Sequence, residues 1–428
     1  MTQLPQVPLS RRRFLAAGAA TGAAVVLSAA AGAPDARAAG PGPRVYVLVV
    51  DGCRPDEISP VLTPRLAALR SAGTTFPLAR SLPVMETIPN HTMMMTGVRP
   101  DRTGVPSNSV FDRVEGVVRD LDRPGDLRFP TLLERLRTGA RTTGSVLSKE
   151  YLFGVFGTRA TYRWEPFPLL PVTDHAPDAA TTDALIAMVD GPDPDFVFTN
   201  LGDVDRFGHA DVTGTTVQAA RRLALASTDL QVGRFVDHLR ATGRWERSVL
   251  LVLADHSMDF SLPTSTISVN RVLAPRPDLQ ASITIAQNGG ADLLYWTGPP
   301  ARRKAGLTEV RRLVQAHPGV LSVHVPGSLR LGPEAGDLLA YARPGWRFTD
   351  PEPTSNPIPG NHGHPATEPI PFFLSGGHPA LRQGLSSSAQ ARTVDVAPTV
   401  GAVFGLTAPT GGYDGAPRRE AFVALPLR

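Results

Sequence analysis

Seven residues of types that bind divalent metal and move phosphoryl groups are spread along the chain: Asp51, Thr87, Asp205, His209, Asp255, His256 and His362. Most follow an apolar, β-rich run. Asp51 ends Val45–Val50 and precedes Gly52; Asp205 and His209 form Asp-x-x-x-His after Asp195–Leu201; Asp255 and His256 end Ser248–Ala254. Ligands of open α/β sheets bind outside the carboxyl ends of the strands, so these tips are expected to converge. Mixed Asp and His donors suit borderline divalent metals, zinc above all, with manganese or iron also accepted. Two such metals and a hydroxyl make a phosphoryl-transfer site.

Thr87 supplies the hydroxyl. Pro89, near the start of a helical stretch over His91–Thr96, puts Thr87 at a helix N-terminus. Free N–H groups there stabilise bound phosphate. A threonine hydroxyl is too weakly acidic to attack phosphorus unless a metal activates it. An isolated Thr in this place would be read as an N-cap; the surrounding metal-type residues change that reading.

The elements that must position these residues read as α/β. Helical apolar spacing marks Thr63–Arg70, Thr131–Arg137, Val217–Leu239 and Ala397–Phe404, alternating with the strand-like runs. This predicts a mostly parallel central sheet flanked by helices. The stretch 259–360 differs: Ser282–Ile285, Asp292–Trp296, a helix near Leu307–Ala316 and Val320–Val325 suggest a small inserted α+β cap. Thr349–Pro359 is too proline-rich for a central strand and is expected to be a loop beside the site. Strand character returns at Pro371–Leu374.

In order, Val50-Asp51-Gly52, Thr87-x-Pro-Asn-His91, Asp205-x-x-Gly-His209, Asp255-His256 and His362-Gly363 resemble the alkaline phosphatase superfamily, and within it the nucleotide pyrophosphatase/phosphodiesterase branch. Val394–Val400 is also superfamily-like, so the likeness runs from Arg44 nearly to the C-terminus. It implies an alkaline-phosphatase-like fold, one zinc on Asp205, His209 and His362, and a second on Asp51, Thr87, Asp255 and His256. It also implies that Thr87 is the nucleophile of a phosphothreonine intermediate and that Asn108, in Gly104–Asn108, binds a non-bridging phosphate oxygen. Ser257 and Arg102-Thr103 depart from the pattern without removing a ligand. Lys149 resembles a position near the site of the related phosphonoacetate hydrolases, which with His364, beside His362, gives two candidate substrate contacts.

Other residues have plainer readings. His91 is expected to support the Thr87 turn, and His238, His317 and His324 to be solvated or structural. Asp203 is either a partner of the site or a loop cap; Tyr162, Trp164 and Phe167 read as core. The single Cys53 rules out an internal disulfide, and its neighbourhood Cys53-Arg54-Pro55 does not place an arginine at the spacing that the sulfatase motif Cys-x-Pro-x-Arg needs.

Residues 1–38 read as an address: Ser10–Leu15 is a twin-arginine motif, an Ala/Gly-rich apolar stretch follows, and Ala36-Arg37-Ala38 offers a cleavage site. The catalytic domain is then 39–428, exported folded through the twin-arginine translocation machinery to the cell envelope or beyond. Three of the four net positive charges belong to 1–38, so the basic balance does not argue for nucleic acid, and no stable membrane contact is expected. The expected activity is cleavage of phosphodiester or pyrophosphate bonds in nucleotides or related small diesters. The alternatives are a phosphonate hydrolase or phosphomonoesterase using the same site, and, more remotely, an inactive secreted binding protein.

Overall fold

The computed structural model describes residues 28–29, 42–166, 175–352 and 354–427; the twin-arginine motif, the Ala36–Ala38 cleavage site and Phe167 lie outside them. Continuous runs of β-branched and aromatic residues form the centre of the main sheet: β1 (Arg44–Val50), β2 (Thr143–Leu147), β3 (Phe196–Leu201) and β4 (Ser248–Leu253), every residue of each buried. Burial on both faces is why these strands read as unbroken apolar runs and not as alternations. The order across the sheet is Ser28–Ala29, Tyr162–Trp164, β2, β3, β1, β4, Phe372–Ser375, Thr74–Thr75, Leu385–Ser386. The strands from Tyr162–Trp164 to β4 are parallel, and Phe372–Ser375 lies antiparallel to β4.

Helices cover the sheet. Pro64–Ala72, Leu132–Thr138 and Val396–Val403 form where the apolar periodicity placed them. Three others matter to the site: α1 (Thr87–Thr96), α2 (Asp203–Ala210) and α3 (Ala219–Ala241). The start of α3 is later than its apolar pattern. Thr213 Oγ1 accepts the Ala219 N–H and Asp211 Oδ2 the Arg221 N–H, so these side chains fix the boundary. No described helix is long and apolar enough to cross a membrane.

Within 259–360 the strands Ile283–Asn288, Ala291–Trp296, Leu338–Ala342 and Val320–His324 form an antiparallel sheet in that order. Its two faces are both apolar. Leu294, Trp296, Leu338, Ala340 and Ala342 pack with the helix Arg303–Gln315 in a core of their own. The alternate residues Ala291, Leu293, Tyr295, Leu339 and Tyr341 belong to the core of the main sheet. This period of two joins the small sheet to the large one through packed side chains. Leu338–Ala342 is a strand that the sequence reading did not pick out.

Candidate active site

Parallel strands deliver the key groups to one end of the sheet. Asp51 follows β1, Lys149 follows β2, Asp205 rides on α2 just after β3, and Asp255 and His256 follow β4. Gly52 makes the first turn possible: its φ is +70°, and a Cβ there would lie 3.1 Å from Asp205 Cβ.

Around His256 Nε2 stand Thr87 Oγ1 at 3.2 Å, Asp255 Oδ2 at 3.3 Å and Asp51 Oδ1 at 3.7 Å. Beside them, Asp205 Oδ1 lies 3.3 Å from His209 Nε2 and 3.8 Å from His362 Nε2, with the two imidazole nitrogens 3.1 Å apart. The His256 and His362 rings stack at 3.7 Å, so the two groups are contiguous. Donor atoms of Asp205, His256 and His362 lie within 4.8 Å of one another, as do those of Asp51, His91 and Asp255. All seven residues singled out by type and spacing are therefore brought together.

The donor chemistry fits divalent metal. Asp51 Oδ1, Asp205 Oδ1 and Asp255 Oδ2 are buried without a hydrogen-bond partner. Their opposite oxygens are held by protein: Asp51 Oδ2 by Asn200 Nδ2 at 2.7 Å, Asp205 Oδ2 by Lys149 Nζ at 2.7 Å, Asp255 Oδ1 by the Gly52 N–H at 3.1 Å. The three imidazoles are oriented alike. Nδ1 of His209, His256 and His362 faces the carbonyls of Gly360, Ser257 and Met85 at 2.7, 2.9 and 3.2 Å. A carbonyl only accepts, so Nδ1 carries the proton and Nε2 presents its lone pair inward. Burial pushes His256 down to about 4, and burial with the neighbouring His256 and His209 pushes His362 well below the usual range, so both rings are neutral ligands. Burial, then Asp255, raises Asp51; burial also raises Asp255. Such orphaned, mutually repelling oxygens are what a cation would complete.

Thr87 is the first residue of α1 and is buried. Asn108 Oδ1 accepts the Ile88 N–H at 2.8 Å, and Asn108 lines the cavity beside the Thr87 turn. The Asn108 N–H in turn donates to Glu86 Oε2 at 2.8 Å. Burial raises the Glu86 carboxyl from the ordinary 4.5 to about 8. Glu86 was not anticipated: an acidic residue before a helix reads as ordinary first-turn chemistry.

Two buried cations brace the site. Lys149, fully buried, bridges Asp51 Oδ2 at 2.8 Å and Asp205 Oδ2 at 2.7 Å. Burial lowers its pKa but Asp205 and Asp51 outweigh that, so it stays charged; burial raises Asp205, yet Lys149 and His209 hold it well below the carboxylate range. The expectation that Lys149 touches substrate is corrected here, because its ammonium is enclosed by the two carboxylates it joins. Arg221 pairs with Glu57 and donates to the carbonyls of Gly52 and Val204, at 2.6 and 3.0 Å, tying the Asp51 turn to the start of α2.

His364 is likewise turned inward, its Nε2 3.0 Å from Asp259 and away from the pocket walls. His91 supports the turn as expected, with Nδ1 2.8 Å from the Thr87 carbonyl and Nε2 3.0 Å from Asn200 Nδ2. Asp203 is a cap: its Oδ2 accepts the Asp178 N–H, Asp178 Oδ1 accepts the Asp203 N–H, and His175 Nε2 lies 3.0 Å from Asp203 Oδ1. His238 pairs with Asp190, His317 packs edge-on to Trp346 and His324 to Tyr341, all remote from the site. Trp164 and Tyr162 join the core, and Cys53 is a buried free thiol.

Comparison with known proteins bears on the family and the fold. The family described as type I phosphodiesterase / nucleotide pyrophosphatase matches residues 45–365. Human ectonucleotide pyrophosphatase/phosphodiesterase family member 5 is 23% identical over 390 residues, spanning 85% of this chain and 75% of that protein. The solved murine member 5 aligns with a TM-score of 0.73 at 17% identity, over 87% of this chain and 97% of that one. An inactive threonine-to-alanine form of the murine protein, in complex with AMP, aligns with a TM-score of 0.72 at 17% identity, over 87% and 97% of the two chains.

Proposed function

Because the chain belongs to the type I phosphodiesterase / nucleotide pyrophosphatase family and is a hydrolase of that kind, we propose that it is an exported two-zinc enzyme. In this reading it cleaves phosphodiester or pyrophosphate bonds of nucleotides or related diesters through a phosphothreonine intermediate. One observation carries it: three partnerless carboxylate oxygens and three inward imidazole nitrogens gather beside the Thr87 hydroxyl. The AMP complex of the murine relative's inactive form supports a nucleotide-like substrate and the place of a threonine in catalysis.

Asp51, Thr87, Asp255 and His256 would hold one zinc; Asp205, His209 and His362 the other. When bound, zinc supplies Lewis-acid polarisation of phosphoryl oxygens and acidifies a hydroxyl. Thr87 Oγ forms a bond to phosphorus as the bond to the departing oxygen breaks, and the hydroxyl proton leaves to solvent. The Asn108 amide, fixed by the Ile88 N–H, donates to a non-bridging oxygen as charge grows there. Water then adds to phosphorus, and Thr87 Oγ departs and regains a proton. Lys149 and Arg221 keep the Asp51 and Asp205 turns in register throughout. The twin-arginine motif supports passage of the folded enzyme through that translocation machinery.

The test is hydrolysis by zinc-loaded mature protein of the p-nitrophenyl diester of thymidine monophosphate, p-nitrophenyl phosphate and p-nitrophenyl sulfate. Preference for the diester is expected. Preference for the monoester would replace this reading with a phosphatase, and inertness toward all three and toward phosphonoacetate would leave a binding protein.

A further inference from the structure

Outside the proposed metal cluster, the small sheet buries two carboxyls against each other. Asp292, on the strand Ala291–Trp296, is fully buried, and both its side-chain oxygens lack a hydrogen-bond partner among the described residues. Alternation along the strand puts it on the face of Leu294 and Trp296, in the smaller core. Its neighbour is the Asp350 carboxyl, itself buried. Asp350 is well supplied with donors: the Ser268 hydroxyl and the Asn270 N–H reach Oδ1 at 3.0 and 2.8 Å, and the Val269 N–H reaches Oδ2 at 2.7 Å. It thereby caps the helix Val269–Leu273. No base answers Asp292. Asp350 is the one charged group that acts on it among the described residues. Gln287 and Ala340 stand opposite it on the two neighbouring strands. Arg347, close to Asp350 in the chain, donates to the Ser261 hydroxyl and to the carbonyls of Leu262 and Asn356.

We propose that Asp292 and Asp350 share one proton, with Asp292 the donor, and that this bond makes Asp292 a positioning residue for the segment that walls the site; the positioning role rests on the phosphodiesterase reading. Two bare carboxylates buried together would repel where little screens them, so one of the two is neutral. Their partners decide which. Asp350 already accepts three hydrogen bonds and offers the carboxylate; Asp292 accepts none and can only donate. Burial, then the Asp350 carboxylate, push the Asp292 carboxyl well above the usual carboxylate range, in keeping with that assignment. One hairpin pins the segment at both ends. Asp292, just after the Gly289-Gly290 turn, holds Asp350 where the segment leaves the small sheet, and the Gly290 N–H donates to the His362 carbonyl at 2.6 Å where it returns. Between those points Asn356, Ile358 and Asn361 line, with Gln287 and Asn288 of the small sheet and Ile88 of α1, a cavity of about 260 Å³ beside Thr87. Losing the shared proton would free the leaving end while His362 stays tied, so substrate binding should suffer before chemistry.

The test compares wild type, Asp292→Asn and Asp292→Val as zinc-loaded mature protein. An amide keeps the hydrogen bond to Asp350 and cannot ionise; valine suits a buried strand and donates nothing. With the p-nitrophenyl diester of thymidine monophosphate, Asp292→Asn should stay within about twofold of wild type, and Asp292→Val should raise KM at least about threefold with kcat nearly unchanged, the scale of one hydrogen bond. The infrared difference between wild type and Asp292→Asn at neutral pH should show the carbonyl band of a protonated carboxyl, present only in the wild type. Absence of that band would overturn the shared proton. So would a thermal stabilisation by added calcium that Asp292→Asn abolishes, since a cation would then join the pair. A KM in Asp292→Val equal to that of wild type, or a rise of more than about threefold in Asp292→Asn, would overturn the positioning role. No diester cleavage by wild type would remove the phosphodiesterase reading and the positioning role with it, while the infrared band still decides the shared proton.

Discussion

At the scale of single residues, the site is defined by what each polar atom lacks. Thr87 Oγ1 stands 3.2 Å from His256 Nε2, in the group of three partnerless carboxylate oxygens and three inward imidazole nitrogens. Replacing it by alanine removes the proposed nucleophile but none of the six Asp and His donors. Thr87→Ala should therefore lose at least about a thousandfold in kcat, as loss of a covalent nucleophile does, while zinc content measured by elemental analysis stays near wild type. A variant within tenfold of wild type would remove Thr87 from the nucleophile role. Glu86 makes a different kind of statement. Its carboxyl is raised from 4.5 to about 8 by burial, so the folded state favours the protonated acid. The contribution to stability is full below pH 4.5 and is lost as pH rises through 8, by on the order of 5 kcal/mol. Gln keeps an acceptor for the Asn108 N–H and cannot ionise. Urea unfolding of apo wild type and Glu86→Gln should coincide near pH 4.5, with the wild type falling behind as pH approaches 8. Parallel profiles would show that Glu86 is ionised in the fold.

At the scale of elements, four strand ends and one helix start are locked to each other by buried charge. Arg221 reaches from α3 to the Gly52 carbonyl behind Asp51 and to the Val204 carbonyl beside Asp205, with Glu57 neutralising it. Arg221→Met would strand Glu57 in a buried place and free both turns. The expected cost is about 3–5 kcal/mol in unfolding free energy, and kcat should fall more than KM rises, because the turns carry proposed metal ligands and not the pocket walls. Equal unfolding midpoints for variant and wild type would refute the clamp. This is also the scale at which the sequence is readable only in part. The β1, β3 and β4 runs and the candidate ligands at their ends stand out, because strands buried on both faces leave long apolar stretches followed by abrupt Asp or His. The strand Leu338–Ala342 does not: Leu-Leu-Ala-Tyr-Ala is short, two of its five residues are alanine, and its faces divide between two cores. The bridging role of Lys149 is equally hidden. A lone lysine reads as exposed, and only the convergence of Asp51 and Asp205, 154 positions apart in the chain, encloses it. Glu86 is missed for the same reason, since its isolation from any base depends on distant walls.

At the scale of the whole molecule, the proposed ligands run from Asp51 to His362, and the small sheet is packed to the large one through Leu293, Tyr295, Leu339 and Tyr341. Metal bound at the site would therefore link segments from nearly the full length of the fold, with the small sheet included through its shared core. Without metal, the orphaned oxygens of Asp51, Asp205 and Asp255 face one another, and the Lys149 ammonium, held on the opposite oxygens of Asp51 and Asp205, offsets their repulsion only in part. Binding to the folded state alone stabilises by about 4 kcal/mol per site when free metal exceeds its dissociation constant a thousandfold. Calorimetry should then show one cooperative transition that chelation moves to lower temperature as a unit and zinc restores, in step with recovery of diesterase activity. A main transition indifferent to chelator would mean that the cluster does not hold metal. A chelator-sensitive step separate from a second, insensitive one would mean that the small sheet folds apart from the site it walls.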